Sequence, residues 1–483
     1  MAKEIVPQTD FPCNDKSKES SLWNIWWNAM ALLQPAFSHV RTFMWFAVVA
    51  AGLTIRTDML GVSSIVRAFA LQPRCYYALL GSFHSKAVHL DDLVVLWSQI
   101  VLRLFTAPLR VNGRVVLVGD GIKIAKRGKR MPGVKSLHQQ GENKATFIMG
   151  HSLQAISVLV NAVQGVAAIP LITRIQEGVV FCNRHRKTLL DKMLILLGIV
   201  GGVGPCYFVG DAYYAAGKMV KGLLELDNHL LTRVRCNAVA YLPYIDNGPK
   251  KRGRPRMYGR KITVASLLKD KKRRKSAASP VYGEKDVTLH YVVRDLLWRP
   301  AKRLVRFVAV DHPIRGSLLL MCTDTSMEAI DIIRLYGLRF KIELGFKQAV
   351  HQIGSFSYHF WMKAMTELHR GDGNQYLHRK TEKYREAVKR KLHAYHVFLQ
   401  AGVVAQGLLL YLSSTFPNSV WSSFGSWLRT IRPGVIPSEF VAATALRQSL
   451  PDFLVSYADH HVFAKFIAQR KVVEKSASLP IAA

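Results

Sequence analysis

Two aspartates and one glutamate are the residues of this sequence whose types and positions best suit chemistry. Asp120 and Asp211 each follow a short apolar run ending in Val-Gly, which predicts a buried strand with a carboxylate at its end. Glu343 lies 132 residues beyond Asp211, which is 91 residues beyond Asp120, so the three can meet only in the folded chain. Converging carboxylates suit hard cations, and two Mg²⁺ ions about 3.5–4 Å apart stabilise both the attacking and the leaving oxygen of a phosphodiester displacement. The three acids therefore predict metal-dependent phosphoryl transfer.

The segment Tyr336–Lys347 predicts a helix with one polar and one apolar face. At about 100° per residue its polar side chains fall within roughly 80° of one another; they are Tyr336, Arg339, Glu343 and Lys347. The neighbouring face is apolar and is predicted to pack on a sheet; it comprises Leu335, Leu338, Ile342 and Phe346. A carboxylate between two cations suits a metal-bridged polyphosphate. An exposed face of ordinary i,i+4 ion pairs is the alternative that this segment alone leaves open.

The charge of the chain points to a polyanionic partner. Lysine and arginine number 67 against 32 aspartates and glutamates, which gives a formal net charge of +35. Nucleic acid is the first candidate partner, and a very anionic membrane surface is the second. The six cysteines show no C-x-x-C spacing, so neither a zinc site nor a disulfide framework is indicated. The polar first twenty residues argue against a secretory signal, and we expect a cytoplasmic protein associated with the bacterial nucleoid.

Two apolar stretches resemble membrane spans. Residues 43–55 are too few to cross a bilayer. Residues 193–210 are numerous enough, but they contain several glycines and a proline and lead into Asp211. We interpret them as a buried helix, a glycine-rich turn and a buried strand, with a membrane span as the alternative. No membrane association is therefore predicted.

The periodicity along the chain predicts an α/β protein with helical regions at both ends. A turn at Gln72–Pro73 among interleaved arginines is compatible with a helix-turn-helix DNA reader, and a plain helical layer is the alternative. Capping-box spacing over Thr325–Glu328 predicts the start of a helix that bends near Gly337. The expected units are a polar tail (1–20), a helical, DNA-binding region (21–105), a first core segment (106–226), a β-rich basic insertion (227–316), a second core segment (317–365) and a helical C-terminal region (366–483).

A basic run lies within the insertion. Residues 249–275 contain 13 basic residues and one acid. This imbalance predicts a mobile loop that contacts phosphates, and the Arg-Gly-Arg-Pro segment could reach into a minor groove. A solvated charge run is the alternative. The predicted DNA-contacting residues are Lys250, Lys251, Arg252, Arg254, Arg256, Lys271, Lys272, Arg273, Arg274 and Lys275.

These motifs together resemble a known family. The series Val-Gly-Asp120, Tyr-Phe-Val-Gly-Asp211, Thr-Asp324 and Tyr336-x-x-Arg339-x-x-x-Glu343 is similar to that of DDE transposases of the insertion sequence 4 superfamily, in the branch with a Y-x2-R-x3-E-x6-K signature. The likeness covers roughly residues 115–354. It implies a ribonuclease-H-like core interrupted by the β-rich insertion, with Asp120, Asp211 and Glu343 as the catalytic triad.

The resemblance also implies substrates, cofactors and further site residues. Members cut double-stranded DNA at the terminal inverted repeats of an element and join the freed 3′-hydroxyl to target DNA, working as a homodimer with two Mg²⁺ ions, which Mn²⁺ can replace. Tyr336 and Arg339 would grip the backbone of the transposon end. Position 350, where the family has lysine, is Val350, so Lys347 is the substitute. Trp298 would stack on a flipped base, with a core role as the alternative. A metal-dependent nuclease and a DNA-binding protein without transposition activity remain as other functions.

Overall fold

The protein is described by a computed structural model that covers residues 21–139, 145–162, 165–184, 187–245, 256–425, 431–432 and 434–472. The described residues form thirteen α-helices, five of them before the first strand, as the helical periodicity of residues 21–105 predicted. They are α1 (Leu22–Ala31), α2 (Val40–Ile55), α3 (Val62–Ala68), α4 (Cys75–Phe83), α5 (Leu90–Leu104), α6 (Leu189–Val200), α7 (Gly217–Glu225), α8 (Ala329–Leu338), α9 (Lys341–Gln348), α10 (Glu382–Thr415), α11 (Pro417–Ser422), α12 (Glu439–Ser456) and α13 (Val462–Ala468).

The strands lie between α5 and α10. Within the described residues there are fifteen of them, and thirteen join one mixed sheet. They are β1 (Arg110–Val111), β2 (Arg114–Ala125), β3 (Lys135–His138), β4 (Phe147–Ala162), β5 (Gly165–Ile175), β6 (Val179–Val180), β7 (Cys206–Gly210), β8 (His229–Arg233), β9 (Val239–Pro243), β10 (Tyr258–Thr263), β11 (Lys275–Ala278), β12 (Thr288–Trp298), β13 (Arg303–His312), β14 (Gly316–Cys322) and β15 (Gln375–Tyr376).

The centre of the sheet changes from antiparallel to parallel pairing. Strands β5, β4 and β2 are antiparallel neighbours, whereas β7 pairs with β2, and β8 with β7, in parallel. The strand β7 carries no exposed residue, and β2 is buried from Val115 to Val118, because parallel central strands are covered on both faces. Helices α8 and α9 cover one face of this centre, and α5, α6 and α7 cover the other. Any side chain at the carboxyl ends of β2 and β7 is thus held by rigid elements.

The β-rich insertion extends the same sheet. Its strands β12, β13 and β14 form an antiparallel meander that joins the core through the pairing of β14 with β8. The alternating patterns over residues 287–293 and 304–310 correctly predicted two of these strands. The helix predicted from the capping box begins later than expected, at Ala329, with Glu328 as its N-cap. The reason is that the carboxylate of Asp324 accepts hydrogen bonds from the Ser326 amide and hydroxyl, which holds this segment in a turn.

The N-terminal and C-terminal helices pack together as one helical layer. The indole Nε1–H of Trp23 on α1 donates to the carbonyl of Leu446 on α12 over 3.0 Å, and the Trp23 ring stacks on Phe453. Helix α10 lies inside this layer against α2, α5 and α12. By length and composition α10 could cross a membrane, but 83% of its apolar window is buried within the chain, which is typical of a core helix. The helix, turn and strand predicted over residues 193–210 are confirmed as α6, a short 3₁₀ turn and β7.

One carboxylate network in the insertion makes stability depend on pH. Glu284 accepts hydrogen bonds from the side chains of Ser279, His312 and Arg315, which lowers its pKa from 4.5 to about 2. A lowered pKa in the folded chain means that the unfolded chain takes up the proton first, so this stabilisation is complete above pH 4.5 and is lost towards pH 2. We expect Glu284→Gln to lower the melting temperature by a few degrees at pH 7 and by less at pH 3. Thermal unfolding at both pH values tests this, with the exposed Glu225→Gln as the control. A difference that is equal at the two pH values would contradict it.

Candidate active site

The parallel pairing of β2 with β7 places the two Val-Gly-Asp motifs side by side. Val115 lies opposite Cys206 and Val118 opposite Val209, so continuing this register by two residues sets Asp120 beside Asp211. Neighbouring strands are about 4.8 Å apart. Side chains alternate between the faces of a strand, so both aspartates lie on the face covered by α8 and α9, where Val118 and Val209 are buried. Two acids that are distant in sequence therefore become neighbours where the parallel pairing of β2 with β7 ends. Asp211 directly follows β7, as predicted, whereas the prediction that Asp120 ends its strand is wrong, because β2 continues to Ala125 by pairing with β4.

The glycines of these motifs leave space for aromatic rings beneath the acids. A Cβ added to Gly119 would lie 2.3 Å from Cε2 of Phe208, and one added to Gly210 would lie 2.6 Å from Cδ2 of Tyr214. Both rings are buried and contact each other edge to face. The glycines are thus required by close packing directly before each acid.

This packing predicts that Gly119→Ala is destabilising. The new methyl group would overlap the buried Phe208 ring, and overpacking of this kind costs about 1–3 kcal/mol. Gly121→Ala is the matched control, because its Cβ would meet nothing closer than the Leu153 carbonyl at 3.5 Å. Urea unfolding of both variants measures the difference. Equal stabilities for the two variants would contradict the packing argument.

Asp120 is a half-buried carboxylate held by two donors. Its Oδ1 accepts from the backbone N–H of Gly121 over 2.7 Å, and its Oδ2 pairs with Arg339 over 2.7 Å. Burial raises the pKa of Asp120, and the like charges of Asp211 and Glu343 raise it further, while Arg339 and the Gly121 amide oppose the rise. The pKa of Asp120 is thus set first by its burial and then by the charged groups around it.

Asp211 lines a cleft of about 800 Å³ together with Asp120. Its Oδ1 accepts from the backbone N–H of Tyr213 over 3.0 Å, and its carbonyl accepts from the hydroxyl of Thr232 on β8. These bonds fix the turn after β7 and leave the second carboxylate oxygen without a hydrogen-bond partner among the described residues. The cleft is open to solvent and is large enough to admit a nucleotide.

Glu343 is linked to Asp120 by the guanidinium group of Arg339. One terminal nitrogen of the Arg339 guanidinium lies 2.7 Å from Asp120 and the other lies 2.7 Å from Glu343. The two carboxylate oxygens are thus no more than about 8 Å apart, because both contact a single planar guanidinium. Glu343 keeps 55% of its side chain exposed, so it approaches the acids from the open side.

The helix predicted over residues 336–347 is interrupted. Helix α8 ends at Leu338 and α9 begins at Lys341, and the amide N–H of Arg339 bonds the carbonyl three residues earlier, at Tyr336. The break begins two residues beyond Gly337, near which the sequence predicted a bend, and the Phe340 ring within it contacts Tyr282 of the insertion at 5.3 Å between centroids. The apolar face is confirmed, since its members pack with the sheet residues of one core cluster. Of the polar face, only the ion pair between Arg339 and Glu343 forms as an i,i+4 pair among the described residues.

Comparison with known protein families identifies the chain. Residues 33–300 match the family model described as "DDE superfamily endonuclease", which is more than half of the sequence. The chain belongs to this family. The match includes Asp120 and Asp211 and ends before Glu343. No curated protein matches the sequence. DDE endonucleases act on DNA, and in general they use divalent metal ions.

The donor set of this DDE endonuclease suits a hard cation. Among the residues that the structure describes, no three histidine, cysteine, aspartate or glutamate side chains already lie together as ligands of one ion. The guanidinium of Arg339 instead bridges Asp120 and Glu343 as a positive charge. Carboxylate oxygens are the ligands that Mg²⁺ prefers, so Asp120, Asp211 and Glu343 are the residues of this region that could hold divalent ions.

The other residues predicted to contact DNA near the acids differ in how deeply they are buried. Tyr336 lies half-buried near Arg339, and burial raises its pKa. Lys347 is exposed in the last turn of α9 and forms no ion pair within the described chain. Trp298 at the end of β12 is 6% exposed and belongs to the main hydrophobic core. Stacking on a base would require the core to open, so this burial favours the structural role that the sequence left as the alternative.

The basic run of the DDE endonuclease is only partly covered by the described residues. Lys250, Lys251, Arg252 and Arg254 lie outside them, as does the Arg-Gly-Arg-Pro segment. Arg256 lies over the Tyr244 ring at 5.7 Å. The second cluster, 271–275, is exposed throughout. Within it two members are ion-paired, Arg273 with Asp270 and Arg274 with Asp311.

The three lysines of this cluster predict a change in salt dependence. Lys271, Lys272 and Lys275 are exposed and have no ion pair within the described residues. If each contacts a phosphate, replacing all three by glutamine should weaken duplex DNA binding and reduce the slope of log affinity against log salt by roughly 2–3. The charge-preserving triple lysine-to-arginine variant is the control. An unchanged slope in the glutamine variant would refute phosphate contact.

Sequence reasoning missed several residues of the cleft. Tyr213, Gln154 and Arg235 line it with the two aspartates. Glu177, which pairs with Lys135 over 3.3 Å, is the third carboxylate among the described lining residues, and Glu343 is not one of them. Tyr213 had a local signal, because it follows Asp211 by two residues. The others come from neighbouring strands and loops and carry no signal at short range.

Proposed function

We propose that this DDE endonuclease is a DNA transposase of the insertion sequence 4 superfamily, which cleaves element ends and joins the freed 3′-hydroxyl to target DNA. One observation carries the proposal: β2 and β7 deliver Asp120 and Asp211 side by side, and Arg339 of the signature segment links Asp120 to Glu343. The spacing of tyrosine, arginine and glutamate in the sequence thus corresponds to residues grouped around one sheet edge.

The sheet supports the ribonuclease-H-like core that the resemblance implies. Three antiparallel strands lead into two parallel ones, and the two aspartates lie side by side where the parallel pairing of β2 with β7 ends. On this interpretation residues 106–226 and 317–365 are the two core segments, and residues 227–316 are the insertion between them. Residues 227–316 include β8, the second parallel strand of the core sheet, and end at the first residue of β14, so the insertion lies between the second aspartate and the glutamate.

Different residues of the chain would have different roles in the reaction. Asp120, Asp211 and Glu343 would supply the oxygen ligands for two Mg²⁺ ions, or for Mn²⁺ in their place. Bound metal would activate the attacking water or 3′-hydroxyl and stabilise the leaving oxygen. Arg339 already lies 2.7 Å from two carboxylates, so its fork could turn from them to a DNA phosphate, which it can contact in the same bidentate geometry. Tyr336 packs beside it and would orient the same backbone.

The partners follow from the charge and from the resemblance. The net charge of +35 favours binding of double-stranded DNA, both the terminal inverted repeats and the target. We further propose a homodimer in the DNA complex, no stable membrane association and a cytoplasmic, nucleoid-associated location.

One experiment separates transposition from the alternatives. The purified chain is incubated with Mg²⁺, a labelled DNA duplex made from the sequence on either side of its reading frame, and a supercoiled target plasmid. A transposase joins the labelled 3′ ends covalently to the plasmid. Cleaved ends without joining would instead identify a nuclease, and binding without cleavage would identify a DNA-binding protein.

A further inference from the structure

A second cleft lies beside the candidate active site and shares a wall with it. The wall is the cross-strand pair of His138 on β3 and Phe147 on β4, whose ring centroids are 5.2 Å apart. His138 lines the cleft of the two aspartates, whereas Phe147 lines the second cleft, which has a volume of about 770 Å³. The two clefts therefore adjoin at this ring pair.

The second cleft is cationic. It is lined by the segment 126–129, by the start of β4 and by residues 368–371, and no carboxylate is among the described lining residues. Glu367 at its edge pairs with Lys129 and Arg130. Arg127 and Arg370 are exposed and have no ion pair within the described chain. Two guanidinium groups are thus free to contact phosphates.

The exposed phenyl ring indicates what kind of nucleic acid fits. Phe147 is 58% exposed although it begins a long strand whose middle is buried. A cleft that bound phosphates by charge alone would not require an exposed aromatic ring. Aromatic rings among cations bind single strands, because unpaired bases offer their faces for stacking, whereas the bases of a duplex are already stacked on one another.

We propose that this second cleft binds single-stranded DNA, with Phe147 as a stacking platform for one base and Arg127 and Arg370 as phosphate contacts. The bound strand continues from the scissile phosphodiester over the wall formed by His138 and Phe147. The inference rests on the proposed function only in that the acids act on DNA, and it does not depend on metal binding.

The test is equilibrium binding of a fluorescein-labelled oligo(dT) 20-mer, followed by fluorescence anisotropy in EDTA. Phe147→Ala should weaken binding by roughly 5- to 100-fold, the effect of losing one stacked base. Phe147→Tyr should retain most of the affinity. Phe440→Ala, which removes another partly exposed phenyl ring on α12, is the matched control and should bind as the wild type does. Heparin, a polyanion without bases, should bind Phe147→Ala and wild type equally.

The arginines are tested in the same assay. The double variant Arg127→Gln/Arg370→Gln should reduce the slope of log affinity against log salt by roughly 1.4, the value for two phosphate contacts on a single strand. Unchanged oligo(dT) affinity in Phe147→Ala would overturn the inference, as would an equal loss of heparin binding. Asp120→Asn should bind oligo(dT) normally while losing cleavage. The proposed single-strand binding and the proposed metal-dependent cleavage are therefore tested independently.

Discussion

Asp120→Asn, Asp211→Asn and Glu343→Gln are each expected to reduce Mg²⁺-dependent cleavage of end DNA by at least about 10³-fold, because loss of a metal ligand removes several kcal/mol of transition-state stabilisation. Each substitution keeps the size of the side chain and removes one carboxylate charge. Binding of the duplex should persist, since the net charge of +35 becomes more positive. Single-turnover cleavage of a labelled duplex measures the effect.

The control for these variants is an acid next to the same sheet that forms a surface ion pair. Asp227 is exposed and pairs with Arg114 over 3.0 Å just before β8, so Asp227→Asn should cleave at the wild-type rate. Substantial cleavage by any one of the three acid variants would remove that residue from the metal site. Loss of cleavage together with loss of folding, detected by circular dichroism, would point to a structural role instead.

Arg339→Gln is expected to raise the affinity for Mn²⁺ and to lower the rate of DNA cleavage. The guanidinium contacts Asp120 and Glu343, so its removal frees their oxygens and takes a positive charge away from the place where a divalent cation would bind. Mn²⁺ should therefore bind more tightly, by about tenfold or more, because like charges a few ångströms apart repel strongly even at an effective dielectric of about 20. Cleavage should fall by roughly 10²-fold, because the charge-assisted contact to the DNA backbone is lost.

The comparison variants for Arg339 separate charge from geometry. Arg339→Lys keeps the charge but cannot contact two oxygens in the planar fork, so its cleavage should lie between those of wild type and Arg339→Gln. Arg334→Gln removes an exposed arginine of the same helix that pairs only with Asp331 among the described residues, and it should change neither measurement. Calorimetric titration with Mn²⁺ gives the affinities. Weaker Mn²⁺ binding by Arg339→Gln would contradict the competition between guanidinium and metal.

The strands that carry the aspartates were predictable, whereas their pairing was not. The apolar runs before Asp120 and Asp211 are local signals, and both became buried strand segments, although β2 continues past Asp120 to Ala125. The parallel register between Val115 and Cys206 joins residues that are distant in sequence, so it depends on the whole sheet. The repeated Val-Gly-Asp motif suggested that the two aspartates converge. It specified neither which strands pair nor which face of the sheet carries the aspartates.

The signature segment shows how tertiary contacts modify a local pattern. Helical periodicity correctly predicted the burial of Leu335 and Ile342, because both follow one helix face. The interruption follows Gly337, near which the sequence predicted a bend, whereas the contact of Phe340 with Tyr282 in the insertion is not contained in any local pattern. The bridge from Arg339 to Asp120 likewise depends on how α8 and α9 pack over β2.

Metal-directed cleavage of the protein backbone tests most directly whether the three acids share one pocket. Fe²⁺ is bound in place of Mg²⁺, and ascorbate with peroxide generates hydroxyl radicals that cut the chain only close to the ion. We predict cuts near Asp120, Asp211 and Glu343, all suppressed by excess Mg²⁺ and lost in Asp211→Asn. Cuts near the two aspartates but none near Glu343, or no Mg²⁺-sensitive cuts at all, would contradict a shared metal site.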